Sequence, residues 1–129
     1  MRVFEGRSNR ATYWASLALL VLISAVVAIS FKTPPHVGEF ILIIIAVPRL
    51  HDIGKSAWFV LWPVGLEILS IAAALVTLSS AAILEAMGFV TLIIASLIIW
   101  LGCIPGQNFN NRFGEPPASG VWRRRSKAN

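Results

Sequence analysis

Charge is what this sequence has least of. Only 13% of its 129 residues are Asp, Glu, Lys or Arg, about half the share in an ordinary soluble domain. Acids are the scarcer sign, six against eleven Lys and Arg, for a net of +5. Cysteine is limited to Cys103, so no disulfide can form within the chain. Histidine is limited to His36 and His51. No internal repeat and no heptad is visible. These shortages exclude classes. A disordered chain needs more charge, and a disulfide scaffold needs more cysteine. What is abundant is apolar: 57% of residues are hydrophobic, and the mean hydropathy is +0.75. A single domain of this length has too little interior to hide so many apolar side chains. The expected class is an all-α membrane protein.

A span needs about 20 apolar residues to cross roughly 30 Å of hydrocarbon. Ala11–Phe31 is charge-free over 21 residues. Arg2, Arg7 and Arg10 before it imitate a signal peptide, but the run exceeds an h-region of about 7–15 residues. It reads as a retained first helix. Lys32-Thr-Pro-Pro-His36 breaks the chain. A second helix over 35–50 reaches about 24 Å, with Glu39 in its first turn and Arg49 snorkelling at its end. Ala57–Pro105 is then apolar except for Glu67 and Glu85. Two helices fit there, 57–80 and 84–105, with a turn near Ser79–Gly88. Small residues at Ser70, Ala72, Ala73, Ala74, Ser79, Ala81 and Ala82 suit close helix packing. The expectation is four transmembrane helices (about 11–31, 35–50, 57–80 and 84–105) in a domain over 4–117. Residues 118–129 are expected to form a basic, disordered tail.

The few charges orient this topology. Basic residues gather before the first helix, between the second and third, and after the fourth. An even helix count puts all three segments on one side. The positive-inside rule makes that side, with both termini, cytoplasmic. Tyr13, Trp14, Trp58, Trp62 and Trp100 fall at or near the same ends, as interfacial anchors do.

The basic segments also carry distinct patterns. They are Phe4-Glu-Gly-Arg-Ser-Asn-Arg-Ala-Thr-Tyr-Trp14, then Arg49-Leu-His-Asp-Ile-Gly-Lys-Ser-Ala-Trp58, then Pro105-Gly106 with Asn111-Arg-Phe-Gly114 and Pro116-Pro117. Together they resemble the bacterial inner-membrane family called domain of unknown function 805, from about Phe4 to Pro117. Pro48 stands where that family often has an arginine, and Ala57-Trp58-Phe59 where it often has Gly and paired Trp. The resemblance implies a small multi-spanning bacterial membrane protein and no activity.

Each segment has a plain reading and a sharper one. Asn9 is a good N-cap for a helix starting at Arg10. Arg7 and Arg10 either fix topology or clamp a phosphate at headgroup depth. Gly54-Lys55-Ser56 imitates a P-loop ending, but Arg49 stands where the first glycine belongs. His51-Asp52 suggests metal phosphohydrolase chemistry, but such sites need at least three ligands, and His36 lies across the membrane. In the plain reading Gly54 makes the turn, Ser56 caps the third helix, and Asp52 binds backbone N–H groups or an arginine. In the sharper one Arg7, Arg10, Arg49, His51, Asp52, Lys55, Ser56, Asn111 and Arg112 form one basin for an anionic lipid headgroup. Phe113 would dip into the interface. The likeness of charge across Arg7, Arg10, Arg49, Lys55 and Arg112, against one Asp52, favours a bound anion.

Glu67 has two placements. A helix from Ala57 puts it near the midplane, where an acid suggests function. A helix starting at Pro63, which suits a first turn, puts it near the surface. The tail Trp122-Arg-Arg-Arg-Ser-Lys127 suits adhesion to an anionic leaflet. No nucleic-acid partner, metal, cofactor or catalytic residue is expected. The first reading is a non-enzymatic inner-membrane protein whose cytoplasmic rim binds anionic lipid or a partner protein, with a homo-oligomer as a further option. A small transporter or channel-like oligomer using Glu67, and a membrane enzyme on lipid phosphates using His51 and Asp52, are the alternatives.

Overall fold

The computed structural model describes residues 6–32, 38–77 and 80–121. Within these residues four α-helices follow one another: α1 (Arg10–Phe31), α2 (Gly38–Asp52), α3 (Leu61–Thr77) and α4 (Ser80–Cys103). A four-residue 3₁₀ turn, Ala57–Val60, precedes α3. Two stretches, Arg10–Phe31 and Ala81–Cys103, are long and apolar enough to cross a membrane. Only 11% and 6% of their apolar windows are buried, whereas a core helix of a water-soluble fold is mostly buried. Ile29, Phe31, Phe40, Val76 and Leu84 are all mostly exposed, an outer surface suited to hydrocarbon rather than water.

Local chemistry sets the helix ends. Asn9 begins α1: its Oδ1 accepts from the Thr12 N–H at 2.8 Å. Lys32 closes α1 in the left-handed region at φ 54°. The expected break over Lys32–His36 otherwise lies outside the described residues. α2 runs to Asp52, two residues past the expected end. It closes with paired reverse bonds: the Lys55 N–H donates to the Leu50 carbonyl (2.8 Å) and the Gly54 N–H to the His51 carbonyl (3.1 Å). This pairing requires a left-handed residue just past the helix, and Gly54 supplies it at φ +78°. His51 and Asp52 therefore sit in a helical last turn, not in a loop.

The expected helix 57–80 divides in two. Ser56 caps the 3₁₀ turn, and Pro63 falls in the first turn of α3, where its missing N–H has no intrahelical partner to lose. α4 starts at Ser80 rather than 84, so Glu85 and Gly88 are helical. A glycine inside a helix costs only about 1 kcal/mol, and the apolar run around it continues. Residues 78–79, part of the expected turn, lie outside the described residues.

α1 packs on α2 and α4, and α2 also on α4 and the 3₁₀ turn, whereas α3 packs along α4. Among the described residues no Cα of α3 comes within 8 Å of one in α1 or α2. The buried core is Tyr13, Leu17, Val47, Leu50, Val60 and Leu101. These residues lie where α1 begins, α2 ends and α4 ends, so the bundle is tightest at that end. Tyr13 donates its O–H to the Ile98 carbonyl (3.0 Å) and Trp14 its indole N–H to the Gly102 carbonyl (3.2 Å). The Trp14 ring lies so close that a side chain at Gly102 would overlap it.

Candidate functional site

Asp52 is the centre of that tight end. It lies three residues after Arg49, on the same face of α2, and both are buried. Arg49 Nη1 donates to Asp52 Oδ2. Arg7, from the segment before α1, donates through Nε to Oδ1 at 3.1 Å, and its Nη2 lies 3.0 Å from the same oxygen. The side chains of Arg7, Arg49 and Asp52 are 1%, 0% and 4% exposed. Burial at this level is tolerated only when the groups are paired and hydrogen-bonded.

They are. Arg7 has five N–H donors, matched by five acceptor atoms. Besides Asp52 Oδ1, Nη1 reaches the carbonyls of Phe109 (2.7 Å) and Gly114 (3.2 Å), and Nη2 those of Asp52 (3.4 Å) and Gln107. Arg49 reaches the carbonyls of Leu101 (3.1 Å), Ser8 (3.3 Å) and Ile104. Leu101 belongs to the last turn of α4 and Ile104 follows it. Their carbonyls lack helical partners, and a cation there is favoured. One carboxylate and two guanidiniums thus tie together the N-terminal segment, the end of α2, the end of α4 and the C-terminal segment.

The rest of the C-terminal segment is fitted around this centre. The Gln107 N–H donates to the Asp52 carbonyl at 2.9 Å. A side chain at Gly106 would collide with the Asp52 carboxylate, so only glycine fits there. Asn111 and Gly114 exchange backbone hydrogen bonds across a tight turn. Asn111 Nδ2 donates to the His51 carbonyl and to Gln107 Oε1, both at 2.9 Å, while its Oδ1 accepts from the Phe113 N–H. Phe113 stacks flat on the His51 ring, 3.8 Å between centroids. His51 Nδ1 lies 3.1 Å from the Gly6 carbonyl, which can only accept, so Nδ1 carries the proton. His51 sits beyond the apolar part of α2. Burial pushes its pKa below the usual histidine value, and the Arg112 charge adds to this against the opposing Gly6 bond.

The family pattern described as a protein of unknown function, DUF805, matches residues 1–115. The chain belongs to the DUF805 family. No curated protein and no solved structure matches it. In this DUF805 chain the hub is built from all three patterned segments noted in the sequence. Gly6, Arg7 and Ser8 come from the first, Arg49, His51 and Asp52 from the second, and Gly106, Asn111, Phe113 and Gly114 from the third.

The candidate residues divide into two groups. Arg7, Arg49, His51, Asp52 and Asn111 converge, and their polar atoms face protein partners. Arg10, Lys55 and Arg112 are exposed. Lys55 lies 5.3 Å from the Phe59 ring and Arg112 4.7 Å from that of Phe113. Ser56 caps the 3₁₀ turn. Phe113, expected at the interface, is instead the lid on His51. Asn9 has a second role: its Nδ2 donates to the carbonyls of Ala118 (2.6 Å) and Gly120 (2.8 Å). The chain is therefore held to Gly120, past the expected start of the tail, while 122–129 lie outside the described residues. Gln107 and the acceptor carbonyls of Ser8, Leu101, Ile104 and Phe109 carried no signal in the sequence, because any residue supplies a carbonyl. Glu67 is half-buried, about 9 Å along α3 from its start, and belongs to a different place in the fold.

Proposed function

We propose that this DUF805 protein is a non-enzymatic, four-span protein of the bacterial inner membrane whose cytoplasmic rim binds anionic lipid headgroups. One observation carries the reading. The internal cations Arg7 and Arg49 are neutralised by Asp52 and carbonyls, whereas Arg10, Lys55 and Arg112 have no anionic partner among the described residues. These three stand around the tight end of an otherwise apolar bundle, at the level where phosphates of a bilayer would lie. Each exposed Lys or Arg near an anionic leaflet contributes about 1 kcal/mol. Three such contacts together are worth roughly a hundredfold in affinity. The hub would hold the surrounding loops in shape so that these cations meet the headgroup layer together.

An enzymatic use of His51 and Asp52 has less behind it. Both Asp52 oxygens already accept from guanidiniums, and His51 Nδ1 is committed to the Gly6 carbonyl. Native mass spectrometry of the full chain, released from nanodiscs of mixed phosphatidylglycerol and phosphatidylcholine, tests the proposal. Phosphatidylglycerol should be retained selectively. Replacing Arg10, Lys55 and Arg112 together by Gln should abolish that selectivity without loss of helical content. Equal retention of both lipids by the unaltered protein would overturn it.

A further inference from the structure

The space left between α2 and α3 is a cavity of about 300 Å³, at the small end of ligand pockets. Its walls are apolar, from Leu42, Ile43 and Ala46 of α2, Val64 of α3 and Ile94 and Leu97 of α4. Two features depart from that pattern. Glu67 is its single ionisable wall residue apart from Tyr13, and its carboxylate has no hydrogen-bond or ion-pair partner among the described residues. Four aromatic side chains, Tyr13, Phe40, Phe59 and Trp100, also line it.

A lone acid in an apolar bundle marks a ligand or ion path by default. The aromatics decide which ligand. Ring faces attract cations, and ammonium groups are recognised by aromatic side chains. A carboxylate in an aromatic-lined cleft repels an anionic headgroup and gives a neutral hydrocarbon chain nothing polar to match. We infer that the cleft between α2 and α3 binds an amphiphilic ammonium, its cationic head beside Glu67 and its short apolar tail against α2 and α4. The cleft reaches Phe40 and Trp100, both well exposed on the outer surface, so the ligand enters sideways from the hydrocarbon. This site is separate from the rim cations and stands whether or not they bind lipid.

Equilibrium dialysis of radiolabelled octyltrimethylammonium against nanodiscs with and without the full chain tests the inference. Empty nanodiscs give the partitioning background. Saturable binding of one ligand per chain is expected above it. Glu67→Gln should weaken binding about tenfold by removing the opposite charge. Ala46→Phe, which fills the cavity and leaves the carboxylate, should weaken it as well. Octanol, with the same tail and no charge, should bind weakly and equally to the unaltered protein and the Gln variant. Binding no greater than to empty nanodiscs would overturn the inference. So would saturable binding that both variants retain in full.

Discussion

Replacing Asp52 by Asn removes the one negative charge between two buried guanidiniums while keeping the side-chain shape. The triad Arg7–Asp52–Arg49 carries a net +1; without the carboxylate it carries +2, at side-chain exposures of 1% or less for both arginines. Opposite unit charges 4 Å apart are worth about 4 kcal/mol at an effective dielectric of 20. Two such attractions are lost, and the repulsion between the arginines is no longer offset. Asn can still accept through one oxygen, but its NH₂ faces a guanidinium, donor against donor. Breaking a buried pair from one side typically costs about 3–5 kcal/mol, and the retained oxygen places Asp52→Asn near the lower end. A loss of about 3 kcal/mol shifts the unfolding equilibrium on the order of a hundredfold. SDS titration of the protein in dodecylmaltoside, followed by helical circular dichroism, measures it. A loss under about 1 kcal/mol in Asp52→Asn would refute the reasoning, because the carbonyls alone would then suffice to hold both cations.

Two further outcomes follow from the same site. Gly106→Ala places a methyl against the Asp52 carboxylate and should cost about 1–3 kcal/mol by overpacking; a stability equal to the unaltered protein in the same SDS titration would contradict the contact. The folded His51 has a lowered pKa, so the folded state favours the neutral ring. Its contribution is fully present above the unfolded value of about 6.5 and is lost as pH falls from there toward the folded pKa. Amide exchange over residues 105–114 should therefore quicken between pH 7.5 and 5.5 after correction for intrinsic rates. His51→Phe, which keeps the stack on Phe113, should remove that dependence.

The sequence made the helix order legible because apolar run length is a direct measure of what a helix can bury or expose to lipid. Ala11–Phe31 needed no tertiary information, and its start was marked by Asn9, whose capping bond is local. The boundaries that moved depend on longer-range or cooperative effects. Pro63 is visible in the sequence, but whether the preceding residues continue as helix or tighten into a 3₁₀ turn depends on packing of Val60 in the core. Ser79–Gly88 looked like a turn because Ser, Glu and Gly cluster there; packing along α3 keeps Glu85 and Gly88 helical. At the site, the charged members were legible by type and by segment. Their direction was not. Arg7 and Arg10 look equivalent three residues apart, yet Asn9 starts the helix between them, so Arg7 turns inward to Asp52 while Arg10 stays outside.

That difference changes what five cations around one acid imply. If all five faced solvent together, the excess charge would demand a counter-ion at a single point. Instead, burial separates them. Two guanidiniums are absorbed by Asp52 and by carbonyls, including those left open after α4 ends. These carbonyls carry partial negative charge, so the second arginine needs no second carboxylate. The remaining cations, Arg10, Lys55 and Arg112, are then spread around the rim, where screening within roughly 8 Å limits their mutual repulsion. Such a rim favours several phosphates in a layer over one anion in a pocket. Glu67 lines the cleft from α3 and takes no part in this hub.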